Sequence, residues 1–81
     1  MTNTIQVMVR TSDEILFQGD ALSVSSFNEK GPFDILPFHA HFITLIHQKV
    51  KVHTSQEMKE WDVSKGLLKA SDNTIQIFLG F

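Results

Sequence analysis

The sequence predicts an all-β protein, a two-sheet antiparallel β-sandwich of about eight to ten short strands. Three observations carry the prediction. Apolar and polar residues alternate with period two over short stretches, as in Ile5-Gln6-Val7-Met8-Val9-Arg10 and Ile75-Gln76-Ile77-Phe78-Leu79. Turn-forming residues recur roughly every ten positions. The 81 residues make one domain, 1–81, with room for a single core.

Taken in order, Ile5, Val7 and Val9 mark a half-buried first strand, and Thr11-Ser12-Asp13 supplies turn chemistry through side chains that bond locally to the backbone. Ile15-Leu16-Phe17 reads as a second strand stopped by Gly19-Asp20. Leu22 and Val24 begin a third that continues towards Phe27, so these three suggest a meander of hairpins. Asn28-Glu29-Lys30-Gly31 is a turn. Pro32 and Pro37 cannot donate to a ladder, which makes Phe33–Leu36 an edge strand or an extended crossing segment. Between Phe38 and Gln48 the pattern fits either a helix face (Phe38, Phe42, Leu45, Ile46) or a strand; β-branched content and β neighbours favour the strand. Val50 and Val52 alternate with lysines, Thr54-Ser55-Gln56 turns the chain, and Trp61 and Val63 resume beyond a hairpin. Gly66 is read as a break, Leu67–Ala70 as another short strand, and Ser71-Asp72-Asn73 as the last turn.

Composition narrows the function classes. The chain has no cysteine, which removes disulfides, thiolate nucleophiles and Cys-based zinc sites, and points to an intracellular setting. A net charge of -2 gives no electrostatic reason for nucleic acid or an anionic membrane as partner. Residues 1–40 carry five acids and two bases, residues 41–81 four acids and five bases, a mild asymmetry. No apolar run reaches the roughly 18–20 residues a transmembrane helix needs, and the N-terminus lacks the features of a signal peptide. Any membrane connection is expected through a partner.

Catalytic chemistry finds little support. His39-x-His41 has metal-like spacing, because i and i+2 on a strand face the same way, but zinc takes three or four ligands. His47 and His53 cannot be assigned to that shell, and histidines bonded to nearby backbone are the favoured reading. Asp13-Glu14, Glu57 and Glu60 sit at turns and read as solvated. Asp34, between Phe33 and Ile35, is expected to point outward on a strand. The four glycines are isolated and form no phosphate loop. No catalytic residue, metal or cofactor is assigned. Trp61 reads as a core anchor or, if it faces outward, an interface anchor. Phe78 falls opposite the buried face of the last strand and is a candidate exposed aromatic, and Phe81 raises the same question.

One segment is more specific. Gly31–Thr44, G-P-F-D-I-L-P-F-H-A-H-F-I-T, resembles the G-x-F-G-I-L-P-x-H-A-P-x-[LIV]-T signature of the epsilon subunit of F-type rotary ATP synthases, called delta in mitochondria. Val9–Gly19 is similar to the family's V-x-T-P-x-x-x-x-[FY]-x-G opening, with Phe17 and Gly19 in place. Lys65–Leu68 and Asp72–Ile75 resemble its G-G-x-L-x-V-x-x-N-x-V ending. The resemblance covers almost the whole chain. Asp34 replaces a glycine of the pattern, His41 a proline, and Gln48-Lys49 a Pro-Gly turn. The family continues into a C-terminal helical hairpin, which is not expected within these residues, and the inhibition and nucleotide binding that belong to it are not transferred.

The resemblance implies the N-terminal β-sandwich of a non-catalytic central-stalk subunit. It would dock on the gamma subunit and the c-ring of a proton-translocating synthase and help couple rotation to ATP synthesis. It would be peripheral, at the cytoplasmic face of the membrane. By position in the motif, Glu29, Lys30, Gly31 and Pro32 with nearby His39 are the expected contacts at the ring-facing end, and Phe42 opens the apolar segment near gamma. The alternative is a free-standing β-sandwich binding module, derived from the same family, with a different partner.

Overall fold

The computed structural model describes residues 3–38 and 40–80. Seven strands follow one another: β1 (Ile5–Arg10), β2 (Ile15–Ala21), β3 (Ser23–Asn28), β4 (Gly31–Ile35), β5 (Phe42–His53), β6 (Met58–Ser71) and β7 (Thr74–Leu79). They form one continuous ladder in the order β2-β1-β7-β6-β5-β3-β4. Every pairing is antiparallel except β1–β7, which is parallel.

The ladder is folded over on itself. β5 and β6 run for 12 and 14 residues, and their register shifts once, from Ile46↔Gly66 to Gln48↔Val63. His47 on one strand and Ser64 and Lys65 on the other drop out of step there. Gln48 takes φ 71 at the same point. Extra residues in a ladder bend the strands and raise their twist, so both strands change layer here. One layer holds β2, β1, β7, the C-terminal half of β6 and the N-terminal half of β5. The other holds the remaining halves with β3 and β4.

Aromatic contacts close both open sides. Phe17 on edge strand β2 meets Trp61 on β6 with ring centroids 6.3 Å apart. Phe33 on edge strand β4 meets Phe42 on β5 edge-on at 5.9 Å. In the ladder two strands, β1 and β7, separate the first pair, which could not meet in a flat sheet, and one strand, β3, separates the second. The smallest dimension, 20 Å, suits two layers about 10 Å apart with their outer side chains.

Between the layers lies an aliphatic core. Val9, Val24, Val50, Val52, Leu68, Ile75 and Ile77 have no exposed surface, and each faces inward by the period-two rule. Among the described residues the core holds one polar side chain, Ser26, whose hydroxyl donates to the Lys49 carbonyl at 2.7 Å.

Several expectations need correction. Among the described residues the strands number seven, because residues 42–53 and 58–71 are each a single bent strand serving both layers. Gly66 therefore lies within β6 and is buried at the bend, where an added Cβ would stand 2.9 Å from Ile46 Cγ1 and 3.2 Å from the Phe78 carbonyl oxygen. The β2 strand continues through Gly19 to Ala21, where it pairs with β1 in regular register. The opening three strands are no meander, since β3 pairs with β4 and β5.

The predicted turns hold. Thr11 Oγ1 accepts from the Asp13 and Glu14 N–H groups, and Thr54 Oγ1 from those of Gln56 and Glu57. Asp72 and Asn73, at φ 51 and 56, give the two-residue hairpin whose positive φ values suit strand twist.

Candidate docking surface

The two outer faces differ in chemistry. On the β3–β4 side, the lysines of β5 pair with acids of β6. Lys49 Nζ lies 3.0 Å from Glu60 Oε2 and 3.9 Å from Asp62 Oδ1, and Lys51 Nζ lies 3.8 Å from Glu60 Oε1. The hydrogen bond to Glu60, with the charges of Glu60 and Asp62, raises the Lys49 pKa above its ordinary 10.5. Asp34 is exposed and accepts from Ser25 Oγ at 2.6 Å, the outward orientation its strand position predicts. This face satisfies its own charges.

The other outer face is apolar. Cross-strand register sets Leu45, Leu67, Phe78 and Arg10 in one row over β5, β6, β7 and β1, and Ile43, Lys69, Gln76 and Met8 in the next. Ile43 is 63% exposed, Leu45 58% and Phe78 38%. Directly opposed side chains on one face stand about 5 Å apart, so these residues make a contiguous patch. Phe78 is the exposed aromatic its alternation predicts. Trp61 faces inward and packs partly buried against the core, the anchor reading.

Beside this patch, β5 has an open edge. β3 reaches only from His53 to His47 along it, so residues 42–46 have β6 on one side and no strand on the other among the described pairings. A groove of about 390 Å3 runs there, lined by Glu29, Ile43, Thr44, Leu45 and His47. The β3–β4 turn forms its far wall, where Asn28 Nδ2 donates to Thr44 Oγ1 at 3.3 Å. Asn28 Oδ1 in turn accepts from the Lys30 N–H at 2.9 Å, and Gly31 closes the turn at φ 115.

The sequence-assigned contact residues lie around the β3–β4 turn and at the start of β5. Glu29, Lys30 and Pro32 are exposed around the turn, with Gly31 half-buried. Phe42 opens β5, opposite Ala70 and against Phe33, the middle residue of β4. His39 is outside the described residues. Its neighbour Phe38, 66% exposed at φ 64, donates its N–H to Asn73 Oδ1 at 2.9 Å. Ile43, Leu45, Leu67 and Lys69 were not singled out. The run Phe42–Ile46, too apolar for a strand with one face in water, signals the first two, and only cross-strand register adds Leu67 and Lys69.

Among the described residues no group of three or more His, Cys, Asp or Glu could hold a metal ion.

Comparison with known proteins gives a family. The model of the ATP synthase delta/epsilon chain, beta-sandwich domain, matches residues 4–79. A search of curated protein sequences gave no significant match. Among solved structures, a chain in the Euglena gracilis mitochondrial ATP synthase (OSCP/F1/c-ring, rotational state 1) superposes with a TM-score of 0.85 at 15% identity, covering 94% of this chain and 50% of that one. One in the central stalk/c-ring of the Tetrahymena thermophila mitochondrial ATP synthase gives 0.80 at 15% identity, covering 94% and 63%. This sequence thus spans about half to two thirds of the chains it resembles, and at that identity the likeness is one of fold. The bent-strand ladder and the match over nearly every residue agree, and the chain belongs to the delta/epsilon family of ATP synthase as its beta-sandwich domain.

Proposed function

We propose that this chain works as a non-catalytic rotor element in the central stalk of a proton-translocating F-type ATP synthase, docked on the gamma subunit and against the c-ring. It transmits torque as a rigid body and sits peripherally at the cytoplasmic face of the membrane. Glu29, Lys30, Gly31, Pro32, His39 and Phe42 are the contacts proposed from the signature segment.

The observation that carries this reading is the contiguous apolar outer face, with Ile43 and Leu45 more than half exposed beside an open strand edge. Large side chains in that state are stable in water only at a cost, and such patches mark protein contacts. Family membership says which assembly to look in. A chain with one satisfied ionic face and one uncovered apolar face suits a subunit held in a complex.

Co-purification tests it. The tagged chain at native abundance should bring down gamma and c-ring subunits together. A clean preparation lacking both would leave only a free-standing binding module.

A further inference from the structure

We infer that the face built by Ile43, Leu45, Leu67, Lys69 and Phe78 docks a protein surface that is apolar at its centre and places a carboxylate opposite Lys69. This rests on the stalk reading and names the chemistry of the partner's side of the contact.

Lys69 sits inside the patch. It is paired in register with Ile43 on β5 and Gln76 on β7, with Leu67 two residues before it on the same face. It is exposed, and among the described residues no carboxylate lies within ion-pair distance of it. Asp72 shares a shallow groove with Lys69 without making such a contact. Arg10, at the end of the neighbouring row, also has no carboxylate partner among the described residues, and its Nε donates to the Thr11 carbonyl at 3.0 Å. On the opposite face, by contrast, Lys49 and Lys51 meet Glu60 and Asp62. Of the two outer faces, then, the apolar one carries the cations left without local acids.

Such a cation is a specificity device. Covering the patch removes water from Lys69, and a buried charge without a partner is costly. A matching surface must therefore supply an acid, and a surface carrying Lys or Arg there is rejected. The same reasoning disfavours a second copy of this chain, because self-pairing sets Lys69 and Arg10 against an identical basic strip. The open edge of β5 extends the face towards the turn at Glu29, so one partner can cover both.

The experiment is equilibrium binding of this chain to the gamma subunit from the same source, at low and raised salt. The variants are Lys69→Glu and Ile43→Asp, with Lys51→Glu on the opposite face as control and thermal melts to verify folding. Lys69→Glu and Ile43→Asp should each weaken binding about tenfold or more, the control should change it less than about twofold, and salt should weaken the wild type. Reversing one gamma carboxylate to Lys should restore the Lys69→Glu partner. Wild-type affinity in both patch variants, with loss in the control, would overturn the inference and leave the stalk reading intact. Absence of any wild-type binding would strike the stalk reading itself. A dimer in sedimentation that Ile43→Asp dissociates would give the face to a second copy and also overturn it.

Discussion

Replacing Gly66 by Ala adds one methyl group where the fold has no space for it. The new Cβ would lie 2.9 Å from Ile46 Cγ1, 3.1 Å from Val63 Cγ1 and 3.2 Å from the Phe78 carbonyl oxygen. The first is the inner carbon of a side chain only 2% exposed, so it cannot swing into solvent, and the last is backbone. Both long strands change layer here, so a shift spreads through the β5–β6 bend. Overpacking of this kind costs about 1–3 kcal/mol. A chain of this length has total stability on the order of 4–12 kcal/mol, and a loss of about 2 kcal/mol lowers the melting temperature by roughly 8–16 °C. Urea unfolding followed by Trp61 fluorescence reads the change. Gly19→Ala is the control, because its Cβ meets nothing nearer than Phe17 Cζ at 3.5 Å. If both variants fall within about 0.5 kcal/mol of wild type, the tight bend at Gly66 is wrong.

Other perturbations test separate parts of the fold. Gly31→Ala meets no atom within 4 Å but must adopt φ 115, so it should lose about 1 kcal/mol or more in urea titration through backbone strain alone. Ser26→Ala leaves the Lys49 carbonyl without its 2.7 Å donor from a buried hydroxyl and should cost about 1–2 kcal/mol by the same measurement. Asn73→Gly keeps the positive φ but removes the bonds to Phe38 N–H and to the Thr4 carbonyl. Amide exchange should then speed up at Phe38, with the core strands β6 and β7 unchanged. The raised pKa of Lys49 means its stabilising pair with Glu60 is fully formed below the ordinary value of 10.5 and lost as pH rises through the raised one. The stability difference between wild type and Lys49→Met should therefore be flat from pH 7 to 9 and close above about 10.5.

Much of the fold was legible because turns and alternation are local. Thr11, Thr54 and Asp72-Asn73 announce turns through their own side chains or backbone preferences, and Ile5, Val7 and Val9 face inward as their spacing says. Asp34 points outward for the same reason. Strand continuity was not legible. Gly66 and Gln48-Lys49 look like breaks, yet each lies inside a long strand that bends where the register shifts, and only the partner strand reveals that. The parallel pairing of β1 with β7 joins segments nearly seventy residues apart, beyond any local signal. Of the proposed contact residues, Glu29 and Pro32 came from their position in the signature segment, whereas Leu67 and Lys69 join Ile43 only through cross-strand register.

That register also divides the roles of the signature segment. One end of β4 carries the turn that leans on Thr44 beside the apolar face. The other leads to Phe38, held by Asn73, and between them Phe33 packs on Phe42. The apolar patch next to the segment is the surface left uncovered.

The stalk assignment is tested most directly by counting this chain in the intact synthase purified from its source under native conditions. Quantitative mass spectrometry should find a single copy per gamma subunit. An active complex containing gamma and the c-ring, but devoid of this chain, would contradict the account.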